Sequence, residues 1–169
     1  MNTNEILKNL PSDYPDRASA RAEKLYADDK LNCAEAVFKG LLEEAGVSCP
    51  IELCRLASAF GKGMGGAGCS CGSLVGAEMA IGFFFGRTEA TGHTPDQCLK
   101  ASKSMHEHFI ALNKVTCCRI LCKGLKAGSP EQRAQCAKRS ADSARMAAEV
   151  IIETRDKPQE NPLAGMLKL

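Results

Sequence analysis

The sequence predicts an all-α fold: a single-domain bundle of five or six helices with a glycine-rich loop. Apolar residues recur at steps of three and four behind helix-start residues, and no segment sustains the apolar-polar alternation that marks a strand. A length of 169 residues suits one domain. We assign residues 1–155 to a helical, cysteine-rich domain and residues 156–169, with Pro158 and Pro162, to a C-terminal tail.

The first two long helices are predicted from their end signals. Pro15 suits the first turn of a helix that runs to Asp29. A second helix follows Asn32, whose side chain can cap it while Glu35 reaches back from three residues later. Gly46 suits the C-cap of that second helix.

A shorter helix and a glycine-rich loop are expected next. Pro50 opens the helix, which continues through Phe60, and the glycines between Gly61 and Gly68 interrupt regular structure. Another helix begins near Cys71. Small residues recur at every fourth position of this helix, so a neighbouring helix backbone can lie close to the strip formed by Gly72, Gly76 and Ala80.

The last two helices begin with similar residues, a Ser or Thr cap followed by proline and polar residues. One runs from Thr94 to Asn113, and its apolar stripe consists of Cys98, Met105, Phe109 and Leu112. The other follows Ser129, and its small and apolar residues at steps of three and four are Ala134, Ala137, Ala141, Ala144, Ala148 and Ile151. The small side chains predict close helix packing.

Composition excludes several classes of function. The net charge is +2 without a run of like charges, so neither nucleic acid nor an anionic membrane is an expected partner. The longest apolar stretch, from Gly72 to Gly86, contains Glu78 and is shorter than the roughly 20 residues that cross a bilayer. The first residues show no secretion signal, and ten cysteines fall below the frequency of disulfide scaffolds. We therefore expect a cytoplasmic protein whose cysteines bind metal or take part in redox chemistry.

The glycine-rich loop contains two overlapping G-x-G-x-x-G patterns, at residues 61–66 and 63–68. That pattern indicates a dinucleotide site only after a strand, and a helix precedes it here. A flexible hairpin would need fewer glycines. We favour a nest of backbone N–H groups beside Cys71 that could donate hydrogen bonds to thiolate or sulfide, and its candidate cofactor-binding residues are Gly63, Gly66, Gly68 and Gly72.

Several cysteines and histidines fit a structural role as well as a chemical one. A buried apolar side chain is the expected role of Cys49, Cys54, Cys98 and Cys122. The poor metal-ligand candidates are His93, which lies in a turn, and His106 and His108, which fall on different faces of one helix. No Cys-x-x-Cys-His sequence occurs, so covalently attached haem is not supported.

Four cysteines stand in distinctive local sequences. Three of them fall at expected helix starts, where backbone N–H groups and the helix dipole favour a thiolate. The four sequences are Asn32-Cys33-Ala34-Glu35, Cys71-Gly72-Ser73-Leu74-Val75-Gly76, Cys118-Arg119-Ile120-Leu121, and Cys136 in the last helix. From about Cys33 to Val150, this arrangement resembles the C_GCAxxG_C_C family of small redox-active proteins with four signature cysteines.

The resemblance implies kinship with split-Soret cytochrome c proteins, in which such cysteines are associated with a non-haem iron-sulfur centre. Carried over residue by residue, it implies a metal site formed by Cys33, Cys71, Cys118 and Cys136. This chain departs from the family pattern in having Ser73 in place of alanine. It also has extra cysteines, Cys69 and Cys117, beside two signature positions, so either sulfur of each pair could be the working one.

Three functional hypotheses follow. The first is an electron-transfer protein with a 2Fe-2S or 4Fe-4S cluster on the four signature cysteines. The second is metal-free thiol-disulfide redox, in which Cys71 is resolved by Cys33, Cys118 or Cys69. The third is a structural zinc site or a helical interaction module.

The partners follow from the same hypotheses. An electron carrier or redox protein is favoured over an enzyme that converts a substrate, because no catalytic base stands out. We expect a redox partner protein, which the sequence does not name. The family kinship raises a homodimer as an alternative to a monomer.

Overall fold

Five long helices account for most of residues 3–28, 31–90 and 95–157, which the computed structural model describes. They are α2 (Tyr14–Ala27), α3 (Cys33–Glu44), α6 (Gly72–Phe85), α7 (Asp96–Asn113) and α9 (Pro130–Asp156). Shorter elements are α1 (Thr3–Lys8), α4 (Ile51–Cys54), a 3-10 helix (Arg55–Phe60), α5 (Gly61–Met64) and α8 (Cys118–Leu121). No strand occurs within these ranges, and the predicted all-α fold is confirmed.

Helix α9 lies at the centre of the bundle, in contact with α2, α3, α6 and α7. Small side chains allow this, because each lets a neighbouring helix approach closely. The buried small residues of α9 are Ala137, Ser140, Ala141, Ser143, Ala144, Ala147 and Ala148. Larger side chains fill the space between the other helices; Tyr14 is fully buried and donates a hydrogen bond to the Leu41 carbonyl (2.9 Å).

The start and end of α3 are set by local chemistry, as predicted. The Asn32 side chain accepts hydrogen bonds from the backbone N–H groups of Ala34 (2.9 Å) and Glu35 (3.1 Å), and the Glu35 carboxylate accepts from the Asn32 N–H (2.8 Å). At the other end, Ala45 is the C-cap and Gly46 follows it with φ +79°. This left-handed conformation favours glycine and ends the helix.

Glycines bring α6 against α3, which confirms the close approach predicted for the small-residue strip. A Cβ atom on Gly76 would overlap the backbone carbonyl of Ala34. A Cβ on Gly72 would collide with the Cys33 sulfur and with the Phe60 carbonyl oxygen. These two helices can therefore pack at this distance only where α6 lacks side chains.

Several element boundaries differ from the predictions. Helix α1 was not predicted, and the helix after Pro50 divides into α4 and the 3-10 helix. The glycine loop contains one short helical element, α5, although Lys62 and Gly63 within it have positive φ. Pro95 is the N-cap of α7 rather than its first residue.

Some predicted details lie outside the described residues or on the surface. Asp29, Thr94 and His93 are outside the described ranges, as is the tail beyond residue 157. Ser129 caps α9 as expected, with its hydroxyl accepting from the Gln132 N–H (3.2 Å). Leu112, assigned to the apolar stripe of α7, is instead exposed, because no helix packs over the last turn of α7 on that side. None of the helices in the described ranges is long and apolar enough to cross a membrane.

Candidate redox site

Four separate segments carry the signature cysteines to one part of the bundle. Cys33 is the first residue of α3, and Cys118 is the first residue of α8. Cys71 is the N-cap of α6, and Cys136 lies about two turns inside α9. The predicted position of the first three at helix starts is confirmed.

The inner cysteine group, defined as Cys33, Cys71, Cys118, Cys122 and Cys136, is linked by electrostatic interactions between its thiols. Cys33 interacts with Cys71 and Cys136. Cys118 interacts with Cys71, Cys122 and Cys33. Cys136 interacts with Cys122. Sulfurs from four segments therefore share one environment.

Burial is the main influence on three of these thiols. It raises the pKa of Cys33 to about 12, and the neighbouring Cys71 and Cys136 thiols contribute to the rise. It likewise raises the pKa of Cys118 to about 12 and the pKa of Cys136 to about 11. Without a bound cation these thiols are protonated at neutral pH, whereas a coordinated metal ion would displace their protons.

Hydrogen-bond donors surround the group. The backbone N–H groups of Lys62 and Ala34 act to lower the pKa of Cys33 against the larger effect of burial, although the Ala34 N–H donates its hydrogen bond to Asn32 (2.9 Å). The group of the glycine loop that acts on a thiol is thus Lys62 near Cys33, whereas the sequence placed the donors beside Cys71. The Tyr26 hydroxyl hydrogen-bonds Cys136, and both Arg139 and this hydroxyl act to lower the pKa of Cys136 against the larger effect of burial.

Two buried serines form a chain of hydroxyls that ends at Cys71. Ser143 of α9 donates to the Ser73 hydroxyl oxygen (3.1 Å). The Ser73 oxygen lies 3.2 Å from the Cys71 sulfur, and since it accepts from Ser143, its own hydrogen can point at that sulfur. Ser73 is the residue at which this chain departs from the family pattern.

The glycines predicted to line the site occupy different positions. Gly72 contacts the Cys33 sulfur, and Gly63 lies so close to Cys118 that an added Cβ would stand 2.7 Å from the Cys118 Cβ. Gly68, with φ +88°, accepts a hydrogen bond from the Arg119 N–H (2.9 Å). Gly66 has φ +97° with no atom near an added Cβ, so it shapes the turn rather than the site.

The extra cysteines have contacts of their own. Cys69 is exposed, whereas Cys71 is only 4% exposed. The Cys117 sulfur donates a hydrogen bond to the Gly68 carbonyl oxygen (3.0 Å), and the Cys69 side chain is near enough to interact with it. The pKa of Cys117 is lowered, chiefly by the backbone N–H of Ile120 and also by Cys69 and the charge of Arg119. Cys69 and Cys117 thus form a separate outer pair.

Sequence reasoning missed two members of the site. Cys122 was expected to be a buried core residue, yet it is partly exposed and its side chain hydrogen-bonds Cys118 and Cys136. Tyr26 was assigned only to a helix face. The spacing of Cys118 and Cys122, four residues apart, could have signalled a shared helix face. No local signal could have placed Tyr26 beside Cys136, since α2 and α9 meet only in the folded chain.

The remaining cysteines interact with residues outside this group. Cys49 and Cys54 are buried and hydrogen-bond each other, and burial raises the pKa of Cys49 to about 11. Cys98 packs partly against the core, as predicted. Of the two histidines on α7, His106 is exposed and His108 is partly exposed.

The donor chemistry of the inner group suits soft metal centres, because thiolates favour iron-sulfur clusters and zinc. The side chains are not arranged as metal ligands: across the described ranges, no group of three or more His, Cys, Asp or Glu side chains is placed to hold a metal ion. The thiol donors suit a soft metal centre better than an ion that prefers oxygen ligands.

Comparison with known proteins gives one match. Residues 31–150 match the family described as "Putative redox-active protein (C_GCAxxG_C_C)". The match covers the inner cysteine group and most of the chain, and the protein belongs to this family. No curated protein and no solved structure matches the chain. The protein is therefore a member of a redox-active family with an all-α fold.

Proposed function

We propose that this protein is an electron-transfer protein that binds an iron-sulfur cluster through Cys33, Cys71, Cys118 and Cys136. The observation that supports the proposal is the gathering of these four thiols, from four segments, into one electrostatically linked group. Four thiolates are the usual ligand set of such clusters. Cys122 lies close enough to two of them to serve as a substitute ligand.

The cluster would supply a one-electron couple, and the surrounding residues would set its potential. The Lys62 N–H lies beside Cys33, the Tyr26 hydroxyl lies beside Cys136, and the Ser73 hydroxyl faces Cys71. Each donor disperses negative charge on a ligand sulfur. Such donors stabilise the more negative, reduced state and therefore raise the reduction potential.

A metal-free thiol-disulfide function is the second candidate. The contacts of Cys122 with both Cys118 and Cys136 favour it, since two thiols in contact can form a disulfide. The raised pKa values of Cys118 and Cys136 oppose it, because a protonated thiol is a poor nucleophile at neutral pH. We therefore rank this function below the cluster.

The metal and sulfide content of protein purified without oxygen separates these functions. The cluster predicts iron and acid-labile sulfide in equal amounts, with visible charge-transfer absorption that bleaches on reduction. Zinc without colour would support a structural site instead. Metal-free protein that also fails to take up iron and sulfide on anaerobic reconstitution would contradict the proposal.

The cellular setting and the partner are part of the same proposal. A reducing cytoplasm would keep the thiols free to bind the cluster. The electron donor or acceptor would be another protein that docks close to the inner group. The mass of the reconstituted protein in solution distinguishes a monomer from a homodimer.

A further inference from the structure

The outer pair is not part of the inner cysteine group, and the cluster proposal gives it no role. We propose that Cys69 and Cys117 form a reversible disulfide at the surface, and that this pair exchanges electrons with a low-molecular-weight disulfide. This activity is separate from electron transfer through the inner group. Two features support it: backbone hydrogen bonds hold the two loop segments together, and solvent reaches Cys69.

Backbone hydrogen bonds hold the two loop segments side by side. The N–H of Arg119 donates to the Gly68 carbonyl (2.9 Å), and the N–H of Cys71 donates to the Thr116 carbonyl (2.7 Å). These two bonds bracket Cys69 and Ser70 on one segment and Cys117 and Cys118 on the other. The pair is therefore fixed on facing segments before any bond forms between them.

A side-chain contact places the Cys117 sulfur beside the backbone that carries Cys69. The Cys117 sulfur donates to the Gly68 carbonyl oxygen (3.0 Å), which belongs to the residue preceding Cys69, and the Cys69 side chain is near enough to interact with it. The Arg119 guanidinium donates to the Ala67 carbonyl (2.6 Å) and covers Gly68. A disulfide between these thiols would connect segments that already touch at several points.

Exposure distinguishes the outer pair from every other cysteine pair in the described ranges. Cys69 is exposed to solvent and Cys117 is partly exposed. The other contacting pair away from the inner group, Cys49 and Cys54, is 3% and 0% exposed. Only the outer pair therefore presents a freely exposed sulfur to a disulfide in solution.

The exchange proceeds in two displacements. The Cys69 thiolate attacks one sulfur of the small disulfide, which forms a mixed disulfide and releases one small thiolate. The Cys117 thiolate then attacks the Cys69 sulfur, which forms the Cys69–Cys117 bond and releases the second small thiolate. Two electrons pass from the protein thiols to the small disulfide, and the two thiol protons end on the two small thiols released.

Oxidised glutathione is a suitable probe for the full-length protein. After incubation and alkylation of the remaining thiols, trypsin yields Cys69 in residues 63–87 and Cys117 in residues 115–119. We expect one cross-linked species of these two peptides, which dithiothreitol reverses. Because Cys71 and Cys118 lie in the same peptides, fragmentation of the backbone must place the bond at Cys69 and Cys117.

Other products would overturn the proposal. A bond placed at Cys71 or Cys118, separate glutathione adducts on both outer cysteines, or two fully alkylated outer cysteines would each contradict it. Residues 40–55, which contain Cys49 and Cys54, serve as an internal comparison and should remain alkylated as two free thiols.

Two variants test the order of the steps. Cys117→Ser removes the resolving thiol, so glutathione should accumulate on Cys69 as a stable mixed disulfide. Cys69→Ser should abolish the cross-link and leave Cys117 with far less adduct. Both variants should keep the iron and sulfide of the wild type, so a failed cross-link and a failed cluster are distinguishable. Equal adduct on Cys117 and Cys69 in the two variants would contradict the assigned order.

Discussion

The two ends of α6 differ in how they pack, although they belong to one helix. At the N-terminal end, Gly72 and Gly76 allow α3 to approach so closely that no side chain would fit. At the C-terminal end, an added Cβ on Gly82 would meet nothing, and Phe83 and Phe84 form an edge-to-face pair with centroids 5.3 Å apart. The tightest packing of α6 is thus at the end that carries Cys71. Substitutions are therefore least tolerated near the candidate site.

The polar groups show the same contrast. Ser73 at the N-terminal end has hydroxyl and thiol neighbours, whereas one carboxylate oxygen of Glu78 at the middle of the helix is buried with no hydrogen-bond partner among the described residues. Burial raises the pKa of Glu78 to about 7, although Ser102 acts in the opposite direction. The hydroxyl at the site end of α6 is satisfied, and the middle of the helix retains an unfavourable group.

The largest expected change in stability comes from replacing glycine by alanine at the two ends of α6. Gly76→Ala should destabilise the protein by about 3 kcal/mol, because the new methyl group overlaps the Ala34 carbonyl and forces α3 away. Gly82→Ala should stabilise it by about 0.5 to 1 kcal/mol through helix propensity. Urea unfolding measures both. Equal changes in unfolding free energy at the two positions would contradict the difference in packing between the two ends of α6.

Glu78→Gln should produce the next largest effect. The pKa of Glu78 is higher in the folded protein than in the unfolded chain, so protonation of this carboxyl favours folding. The stability that it contributes is complete below about pH 4.5 and is lost as pH rises through about 7. At pH 8 the variant should therefore be more stable than the wild type by roughly 1 to 2 kcal/mol, after allowance for partial solvent access.

The control for that variant is Glu52→Gln, because Glu52 is exposed. It should leave stability unchanged at either pH. At pH 4 the Glu78→Gln advantage should largely disappear. A constant difference between pH 4 and pH 8 would show that the Glu78 charge is not its cause.

Asn32→Ala tests the helix against which the site end of α6 packs. The variant loses both hydrogen bonds that its side chain accepts at the start of α3, which should cost about 1 kcal/mol in unfolding free energy. Asn32→Asp keeps the accepting oxygen and should retain most of the stability. If the two variants were equally unstable, the cap would not be the reason for the loss.

Two serines on α9 provide the smallest and most specific comparison. Ser143→Ala removes the donor to Ser73 and should cost about 0.5 kcal/mol. Ser140→Ala, one turn earlier, removes a buried hydroxyl without a partner among the described residues and should be neutral or stabilising. Thermal unfolding ranks the two variants, and the opposite ranking would contradict the hydroxyl chain to Cys71.

The parts of this structure that local chemistry determines could be predicted from the sequence. Asn32 and Glu35 form the expected capping box, and Ser129 caps α9. The small residues of α6 predicted that a neighbouring helix backbone lies close to it. Each of these signals depends on residues within one turn or one helix, so no knowledge of the neighbouring elements was needed.

The parts that depend on which helices meet could not be predicted. Leu112 has the spacing of a core residue but is exposed among the described residues. Cys122 and Tyr26 lie at the inner group only because α8, α2 and α9 come together. The contacts of adjacent cysteines are a further example, since Cys117 bonds the Gly68 carbonyl while Cys118 lies against Gly63.

The iron content of four matched serine variants, each reconstituted without oxygen, tests the central claim most directly. Cys71→Ser and Cys118→Ser remove inner sulfurs, whereas Cys69→Ser and Cys117→Ser remove their outer neighbours. We predict that the inner variants lose most of the iron and sulfide, since Cys122 can replace at most one ligand, and that the outer variants retain both. Full iron in the inner variants, or its loss in the outer ones, would contradict the account.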